Sequence, residues 1–503
     1  MNFDNLRLPK HIKKQIEQNV TNQMVCTRFP PEPSGGSIHL GHLFAARLNQ
    51  AIAVQYGGKF LVRFDDTNPS SECKEYEDAI LKDLENCGFN VSNLSYTSDS
   101  FDMLIEKATE LIASGNAYVD NSTQDQISSQ RKNMTASTYR DRSIDDNLFL
   151  WSEMQAFDDL TNQTTQTTQT TQTNQTNVCL RLKAYPTSKN GAMRDPVLYR
   201  IINLPHHRTK NKYKIYPTYD FACPVLDSYD NITHIFRSKE YCERDEQMKF
   251  ILDKLNMKVP KALTYGRLCI ENAVLSKRKI KEGIENGTYS GWDDKKLFTY
   301  TGMRKQGLSI AGINKLLDDV GYPESSITIQ QQKIYTLNIK TIDKQTYRLI
   351  GINKKNICMM AISGVGGGLK KSIPNFIGNK ALGNRFVEVM SHIICDKNEI
   401  AVIKNNEEVT LIYIGNVVYD VTNEKFTYEP SGNPANTSLK LLWLNPTTTM
   451  TAIVDRLDGT SYEILVEEYV RNLSNGSYVN LNKKGYHYIK KQDSTIVLVE
   501  MHK

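Results

Sequence analysis

The chain has 503 residues, of which 39% are hydrophobic and 23% are charged, with a formal net charge of +6. This length predicts several domains, because a single hydrophobic core stops growing at roughly 250–300 residues. No apolar run approaches the roughly 18 residues that span a membrane, and the first residues carry no apolar signal core. We therefore expect a soluble, non-secreted protein whose mild positive charge permits a nucleic-acid partner without requiring one.

The nine cysteines are scattered along the chain, with no CxxC pair. This spacing argues against a zinc ribbon and against a disulfide scaffold, and it suits a reducing compartment. We therefore expect free thiols and no zinc.

The first part of the chain alternates strand and helix patterns. Met24–Phe29 and Lys59–Phe64 are short apolar runs typical of strands. Apolar spacing predicts helices over about Leu40–Tyr56, Lys74–Cys87 and Asp102–Ala113. Strands that alternate with helices predict an α/β fold with a doubly wound parallel sheet.

This alternation stops near Tyr118, and strand patterns return at Tyr213–Ile215 and Ile232–Phe236. The interruption predicts a domain inserted into the nucleotide-binding fold. Within it, Thr161–Asn177 (TNQTTQTTQTTQTNQTN) has no apolar residues to bury and is typical of a disordered surface loop.

The last part of the chain changes character. Lys279–Val320 is mainly helical by its pattern, and beyond about Gln331 short β-rich runs are separated by Gly, Asn and Pro turns. These runs predict an all-β region of sandwich or barrel type. They include Ile400–Val402, Val409–Ile414, Leu441–Leu444 and Ile496–Val499.

A first motif, RFPPEPSGGSIHLGH (Arg28–His42), combines a Pro/Gly loop with the start of a helix. His39 and His42 stand three residues apart on one face, where the helix dipole and free backbone amides favour an anion. Gly41 removes a side chain where a flat base could lie against the helix. Two surface histidines on a capped helix would give the same pattern, so HxGH alone is a weak signal.

A second motif, VLSKR (Val274–Arg278), forms a cationic loop between a strand and a helix. Its charged and polar side chains are Ser276, Lys277 and Arg278, and Lys277 could reach the triphosphate of ATP. Alone, a segment of this kind is more often a solvated basic turn.

Together and in this order, the two motifs resemble the HIGH and KMSKS signatures of class I aminoacyl-tRNA synthetases. Further segments narrow the resemblance to the glutamyl/glutaminyl subgroup; they are Val62–Glu72 (VRFDDTNPSSE), Met193–Arg200 (MRDPVLYR), Tyr216–Ser228 (YPTYDFACPVLDS), Thr233–Gln247 (THIFRSKEYCERDEQ) and Gly291–Asp294 (GWDD). The C-terminal part is similar, more loosely, to the β-barrel anticodon-binding region of archaeal and eukaryotic glutamyl enzymes.

The resemblance implies a nucleotide-binding fold in two halves, an inserted acceptor-binding domain, a helical subdomain and C-terminal β-barrels. The corresponding ranges are 20–117 for the first half, 118–212 for the insert, 213–278 for the second half with the KMSKS-type loop, 279–330 for the helical subdomain and 331–503 for the anticodon-binding region. The chain departs from the family in two places. Three residues, Gly36, Ser37 and Ile38, precede HLGH where members usually have two, and the Gln/Thr tract replaces a short turn.

The resemblance also implies roles for individual residues. The ATP site would contain His39, Gly41, His42, Arg267, Ser276, Lys277 and Arg278, with His39, His42 and Lys277 catalytic. The amino-acid pocket would contain Arg28, Glu32, Asp65, Tyr219 and Arg237, and the insert would offer Arg194, Arg200 and Arg208 to tRNA phosphates. ATP is expected to bind with Mg²⁺, and no metal held by protein side chains is expected.

Discrimination between glutamate and glutamine requires charge, because the two side chains have nearly the same shape. A carboxylate suits a guanidinium, whereas an amide would leave that cation unpaired. Arg237 occupies the position where glutamyl members carry Arg and glutaminyl members carry a small neutral residue. A surface ion pair with Glu240 or Asp230 is the alternative role for Arg237.

The implied activity is ligation of L-glutamate to tRNA(Glu) in the cytoplasm through a glutamyl-adenylate. The alternatives are a glutaminyl-tRNA synthetase, a non-catalytic tRNA-binding paralogue, and a small-molecule nucleotidyltransferase that shares the HxGH fold. Tyr413, Tyr419 and Trp443 could stack on anticodon bases, although core packing is the favoured role for each.

Overall fold

The computed structural model describes residues 3, 6, 8–17, 24–156, 178–492 and 494–501. Contacts among them separate two compact units, one of Met1–Thr301 with Leu317–Ile329 and one of Gly302–Leu316 with Gln330–Lys503. The Gln/Thr tract lies outside the described residues, so its interpretation as a disordered loop stays a prediction, as does the five-part domain division.

The first unit is a mixed α/β structure. Its helices are α1 (Lys10–Glu17), α2 (Leu40–Gln55), α3 (Lys74–Asn86), α4 (Phe101–Ala113), α5 (Gln124–Asn133), α6 (Ile144–Gln155), α7 (Tyr219–Tyr229), α8 (Arg244–Lys254) and α9 (Lys277–Glu285). Its strands are β1 (Thr27–Phe29), β2 (Phe60–Phe64), β3 (Leu94–Tyr96), β4 (Ala117–Asp120), β5 (Cys179–Leu182), β6 (Val197–Ile201), β7 (Ile215–Pro217), β8 (His234–Ser238), β9 (Lys261–Tyr265), β10 (Leu268–Ile270) and β11 (Ile327–Ile329). Two further helices, α10 (Tyr300–Lys305) and α11 (Ile310–Val320), include residues of both units.

A parallel sheet organises this unit. Strands β1, β2 and β3 pair in parallel in that order, and β8 pairs in parallel with β9. The backbone amides of Thr233 and His234 donate to the carbonyl of Cys26, which places β8 beside β1. The resulting spatial order of the strands is β3-β2-β1-β8-β9. From β1 the chain first adds strands on one side, to β3, and later adds β8 and β9 on the other side, which is the doubly wound arrangement. The predicted fold class is confirmed.

The sequence accounts for the centre of this sheet. Strand β2 (FLVRF) is almost entirely buried, as expected for a parallel strand covered on both faces. Helix α2 (LGHLFAARLNQAIAVQ) buries residues around most of its circumference, since small alanines let neighbouring elements approach closely. Helix α2 therefore packs closely against β1.

The segment between β3 and β8 contains an antiparallel sheet of four strands, β4-β5-β6-β7. Helices α5 and α6 follow β4, and Trp151 of α6 packs edge-on against Tyr199 at 5.1 Å between ring centroids. The indole N–H of Trp151 donates to Thr109 at 2.9 Å, which satisfies its polar atom inside this core. An antiparallel sheet therefore stands between β3 and β8 along the chain, and its assignment to an inserted domain stays a prediction.

The second unit is dominated by β-structure. After α12 (Gln331–Ile342) and around the single turn α13 (Lys397–Ile400), its strands are β12 (Tyr347–Leu349), β13 (Gly351–Asn353), β14 (Ile357–Ser363), β15 (Leu369–Pro374), β16 (Asn384–Val389), β17 (His392–Asp396), β18 (Glu408–Leu411), β19 (Gly415–Asp420), β20 (Lys425–Glu429), β21 (Lys440–Leu441), β22 (Trp443–Leu444), β23 (Thr449–Asp455), β24 (Ser461–Glu467), β25 (Tyr478–Leu481), β26 (Gly485–Gln492) and β27 (Thr495–Glu500). They form two seven-stranded sheets, in the orders β12-β25-β26-β27-β23-β24-β13 and β21-β18-β19-β20-β14-β17-β22, and a two-stranded ribbon β15-β16. The β-rich prediction is confirmed, and closure of these sheets into barrels stays a prediction.

Two local predictions in this unit are wrong. The predicted strand Ile400–Val402 is instead the end of α13 and a turn, because the side chain of Asp396 accepts the backbone N–H of Asn398 at 3.0 Å and starts a helical turn. The β-rich part also does not begin at Gln331, where α12 runs for 12 residues.

No helix among the described residues is long and apolar enough to cross a membrane.

Candidate active site

The two histidines of the first motif form a reciprocal cap at the start of α2. The backbone N–H of His42 donates to Nδ1 of His39 at 3.3 Å, and the backbone N–H of His39 lies 3.4 Å from Nδ1 of His42. The two rings stack with their centroids 3.6 Å apart. Because each Nδ1 accepts a hydrogen bond, each neutral ring carries its proton on Nε2 and can donate it outward.

The electrostatic surroundings keep both rings neutral. Burial, followed by the charges of Lys277 and Arg267, lowers the pKa of His39 to about 3. Burial, His39 and Lys277 hold the pKa of His42 well below its ordinary value. Gly41 favours this arrangement, since a Cβ there would lie 3.0 Å from Cε1 of His39, a tight contact that would push the ring away.

The extra residue before HLGH is accommodated by a loop that packs on an indole. A Cβ added to Gly35 would lie 2.7 Å from Cη2 of Trp292, and one added to Gly36 would lie 2.8 Å from its Cδ1. The indole ring of Trp292, in the GWDD segment, therefore lies so close to the backbone of this loop that only glycines fit against it. Ser37 then donates to Asp83 at 2.6 Å, which ties the end of the loop to α3.

The VLSKR segment approaches the first motif. Ser276 is the N-cap residue of α9, and Nζ of Lys277 donates to the backbone carbonyl of Glu32. Burial lowers the pKa of Lys277 to about 8, against the opposing charges of Glu32, Glu72 and Asp65. The structure thus brings Lys277 together with His39 and His42.

Two other residues predicted for the ATP site, Arg267 and Arg278, are more exposed than His39, His42 and Lys277. The side chain of Arg278 is 84% exposed and lies 3.5 Å from Glu282 on the same helix, so it points to solvent. Arg267 forms a 3.0 Å ion pair with Glu240, and its charge contributes to the low pKa of His39.

A buried group of charges holds Arg28 in place. Nε of Arg28 lies 3.0 Å from both carboxylate oxygens of Asp227, and Arg63 donates to the same carboxylate. Burial alone would raise the pKa of Asp227, but the two guanidinium groups outweigh burial and hold the pKa below its ordinary value. Arg28 therefore has its Nε committed to Asp227 of α7.

Tyr219, at the start of α7, lies close enough to Arg28 and Arg237 for both charges to act on its hydroxyl. Burial nevertheless raises the pKa of Tyr219 well above its ordinary value, so the phenol stays neutral. The side chain of Arg237 is 14% exposed and lies 3.1 Å from Asp245. Arg237 therefore forms an ion pair, as in the alternative role considered for it, but its partner is Asp245 in place of Glu240 or Asp230.

Three carboxylates, those of Glu32, Glu72 and Asp65, lie close enough to Lys277 for their charges to act on its ammonium. Burial and the charge of Glu32 raise the pKa of Asp65 to about 7. Burial, followed by Asp65, raises the pKa of Glu72 to about 9, and no hydrogen-bond partner of its Oε2 atom exists among the described residues. The neighbouring Asp66 differs, because its carboxylate accepts the N–H and hydroxyl of Ser98 and is used structurally.

The three arginines proposed for tRNA phosphates have different surroundings. Arg200 and Arg131 line a cavity of about 800 Å³ that is bordered mainly by residues between β4 and α7, with Asn68 and Ser70 of the loop after β2. Arg194 donates to the carbonyls of Ser188, Arg131 and Lys189. These bonds commit three of its N–H groups to local backbone.

Arg208 is likewise engaged. It forms a 2.8 Å ion pair with Asp99 and stacks over the ring of Tyr96 at 3.7 Å. Of the three arginines, the structure places only Arg200 on the cavity.

Three side chains bring potential metal ligands together. One ligand atom each of Glu72, His206 and His207 lies within 4.8 Å of the others. Nε2 of His206, however, lies 2.9 Å from the carbonyl of Asp66, and its Nδ1 accepts the backbone amides of Arg208 and Thr209. Both nitrogens of His206 are therefore already used, and the group does not offer a third ligand.

Sequence reasoning missed four residues of this region: Glu72, Arg131, Asp227 and Asp245. Three of them stand inside or at the end of segments that carried the family resemblance, and each is a charged residue next to a predicted site residue in space. A general signal for Asp227 and Asp245 was available, since a buried arginine requires a carboxylate partner.

A doubly wound parallel sheet with donor groups at the start of its first crossover helix defines a nucleotide-binding α/β protein. The chain matches the family "tRNA synthetases class I (E and Q), catalytic domain" over residues 24–344. It is 39% identical over 434 residues to the "Probable glutamate--tRNA ligase, cytoplasmic" of Enterocytozoon bieneusi, which covers 84% of this chain and 66% of that protein. It is 32% identical to the protein of the same name from Schizosaccharomyces pombe, over 92% of this chain and 68% of that one. The chain belongs to the class I tRNA synthetases of the E and Q group.

The similarity covers only part of the length of these relatives. The chain spans just under two thirds, 66%, of the Enterocytozoon bieneusi protein and of the corresponding Encephalitozoon cuniculi protein. A crystal structure of the glutamate-tRNA synthetase from Elizabethkingia anophelis aligns with a TM-score of 0.44 and 18% identity, over 64% of this chain and 71% of that chain.

Proposed function

We propose that the chain ligates L-glutamate to tRNA(Glu) with ATP, through a glutamyl-adenylate, as a cytoplasmic enzyme of translation. The observation that carries the choice of glutamate is the placement of Arg237 and Arg28 around the neutral phenol of Tyr219. A carboxylate placed there would meet guanidinium donors in a largely desolvated pocket, where a charge-assisted hydrogen bond is strongest. The cytoplasmic assignment is supported by the names of the relatives.

The first step would be adenylate formation. ATP enters as its Mg²⁺ complex, and the α-carboxylate of glutamate attacks the α-phosphorus. The new P–O bond forms as the bond to pyrophosphate breaks. The Nε2–H groups of His39 and His42 and the ammonium of Lys277 would donate to the phosphate oxygens, where negative charge moves during the step. Gly41 leaves room for the adenine ring, with Arg267, Ser276 and Arg278 at the border of the same site.

Asp65 would hold the ammonium of glutamate, and Glu32 would line the pocket beside it. The pKa of Asp65, about 7, means that its carboxylate is only partly ionised before the substrate arrives. A bound ammonium would favour the ionised form, because opposite charges stabilise each other in a desolvated site. Binding of glutamate and loss of the Asp65 proton are therefore linked.

The second step would transfer glutamate to tRNA. A ribose hydroxyl of the terminal nucleotide attacks the adenylate carbonyl, and AMP leaves as the ester bond forms. The cavity of about 800 Å³ beside Arg200 and Arg131 is the proposed entry for the acceptor end. Arg194 and Arg208 remain proposed phosphate contacts only through the N–H groups that are not already bonded.

An amino-acid-dependent pyrophosphate-exchange assay tests this function. We expect exchange with glutamate, with little exchange for glutamine, and a requirement for tRNA(Glu). Exchange with glutamine alone would establish a glutaminyl enzyme. Tight tRNA binding without exchange would establish a non-catalytic paralogue, and exchange independent of any amino acid would point to a small-molecule nucleotidyltransferase.

A further inference from the structure

The carboxylate of Asp83 lies on the buried face of helix α3. Its neighbours on this face, Ile80 and Leu84, are fully buried, and Asp83 itself is 3% exposed. Removal of a carboxylate from water is costly unless hydrogen bonds or a cation compensate for the lost hydration. The place of Asp83 in this apolar face therefore depends on the groups that bind its oxygen atoms.

The partners of Asp83 are two consecutive residues of the loop before His39. Its Oδ2 atom accepts the hydroxyl of Ser37 at 2.6 Å and the backbone N–H of Ile38 at 3.1 Å. Burial raises the pKa of Asp83 to about 6, against these two bonds and the charge of Lys82, so the carboxylate is ionised at pH 8. An ionised acceptor forms hydrogen bonds roughly twice as strong as those of a neutral one.

The residues at 298–301 bind the same stretch of backbone. The carbonyl of Ile38 accepts the backbone N–H of Tyr300 at 2.6 Å, and His39 pairs with Thr299 in an isolated antiparallel bridge. The carbonyl of Ile38 is thus held by this segment, whereas its N–H is held by the carboxylate on α3. The peptide groups next to His39 are therefore fixed by two different elements.

The loop depends on these last contacts for its placement. Gly35 and Gly36 precede Ser37, and glycine imposes less on the backbone conformation than any other residue. The extra residue of this chain lengthens the same loop. The Asp83 carboxylate therefore holds the point at which a permissive loop becomes the start of α2.

The anchored stretch leads directly into the two histidines of the proposed ATP site. His39 is the N-cap residue of α2 and follows Ile38 in an extended conformation, with φ −99° and ψ 170°. A shift of Ile38 would therefore move the His39 ring, and with it the His42 ring, whose centroid lies 3.6 Å away. A misplacement of about 1 Å in a reacting site can lower a rate by about 100-fold.

We infer, resting on the proposed function, that Asp83 is a positioning residue for adenylate formation. Its carboxylate holds Ser37 and Ile38 so that His39 and His42 direct their Nε2–H groups at the phosphate oxygens of ATP. Because these groups act where charge moves during the step, their misplacement affects the transition state more than the binding of ATP.

Single-turnover adenylate formation by the full chain, with tRNA(Glu) present, tests this inference. We expect Asp83→Ala to lower the maximal rate roughly 100-fold, while the half-saturating ATP concentration changes less than about threefold. Ser37→Ala removes one of the two bonds and should lower the rate roughly 2- to 13-fold. Asp83→Asn keeps an oxygen acceptor and should retain a rate within about tenfold of the wild type.

The matched control is Ser143→Ala. The hydroxyl of Ser143 also donates to a carboxylate, that of Asp146, at 2.6 Å, but this pair is exposed at the start of α6. Its loss should leave the rate unchanged. Ser37→Ala should add little to the effect of Asp83→Ala, because both changes remove the same contact.

Nitrogen-15 NMR of protein labelled in its histidine rings reports the placement of His39 and His42 without catalysis. We expect both ring signals, assigned with His39→Gln and His42→Gln, to shift in Asp83→Ala and to stay in place in Ser143→Ala. Should Asp83→Ala fail to fold, Ser37→Ala decides the question by the same rate and the same signals.

Equal rates for Asp83→Ala and wild type would overturn the inference. So would a loss that appears wholly as a higher half-saturating ATP concentration, or ring signals of His39 and His42 that do not move. A wild type without glutamate-dependent exchange, in which Asp83→Ala still shifts both ring signals, would instead overturn the proposed function alone.

Discussion

Replacement of Arg237 by cysteine tests what separates glutamate from glutamine. The guanidinium is 14% exposed, so its pairing with a substrate carboxylate would take place largely out of water. Removal of one partner from such a pair costs about 2–5 kcal/mol. Asp245, 3.1 Å away and 33% exposed, already neutralises part of the charge, which places the expected loss near the lower end of that range.

A loss of about 2–3 kcal/mol corresponds to a fall of roughly 30- to 150-fold in kcat/KM for glutamate. Glutamine loses at most a neutral hydrogen bond of about 0.5–1.5 kcal/mol, or roughly 2- to 13-fold. The ratio of the two kcat/KM values should therefore shift toward glutamine by about tenfold at the centres of these ranges, and by at least about twofold. Steady-state pyrophosphate exchange with tRNA present, at saturating ATP, measures both constants.

Arg244→Cys is the matched control for this measurement. Arg244 also pairs with an aspartate, Asp220, and lies on the neighbouring helix α8, but its side chain is 40% exposed. It should change neither the glutamate constant nor the ratio appreciably. An equal fall for both amino acids in Arg237→Cys would show a structural role for Arg237 and remove the main support for glutamate as the substrate.

Four other predictions follow from the charges of the site. Lys277→Ala should slow adenylate formation by about 100-fold or more with little change in ATP affinity, as measured by single-turnover kinetics. Because the ammonium of Lys277 is lost as pH rises through its pKa of about 8, kcat/KM for ATP should fall above that pH, and Lys277→Arg should remove the fall. Because the carboxylate of Asp65 forms as pH rises through about 7, kcat/KM for glutamate should increase through that pH, and Asp65→Asn should abolish the increase. Asp227→Ala should lower the free energy of unfolding in urea by about 3–5 kcal/mol, whereas the exposed Asp78→Ala should change it by less than about 0.5 kcal/mol.

The fold of the first unit could be predicted because its elements carry strong local patterns. The helix expected at Leu40–Tyr56 runs over Leu40–Gln55, and the strand expected at Lys59–Phe64 runs over Phe60–Phe64. Both are rich in apolar residues with the period of their element, so local preference and burial agree. The turn Lys397–Ile400 shows the opposite case, since four residues are too few to establish a period and one Asp396 cap decides the outcome.

The partners of charged residues could not be predicted with the same success. The alternative considered for Arg237 was an ion pair with Glu240 or Asp230, but Glu240 pairs with Arg267, Asp230 pairs with Arg63, and Arg237 pairs with Asp245. Arg194 shows the same difficulty, because whether an arginine binds phosphate or local carbonyls depends on the path of the loop around it. Residue type and spacing indicate that a cation is present, but only the backbone path decides which groups lie within hydrogen-bonding distance.

The geometry of the proposed pocket depends on a residue outside it. Asp227 lies on α7 and binds Arg28 of β1 and Arg63 of β2, so it joins one helix to two neighbouring strands of the parallel sheet. Tyr219 begins the same helix, and its place beside Arg28 therefore follows from the buried charges two turns further along α7. Such buried ion pairs are expensive to desolvate and contribute little net stability compared with apolar packing. Their role here is positional, since Asp227 can accept both guanidinium groups only when β1, β2 and α7 lie in one relative position. That position fixes Arg28 beside the other residues of the proposed amino-acid pocket.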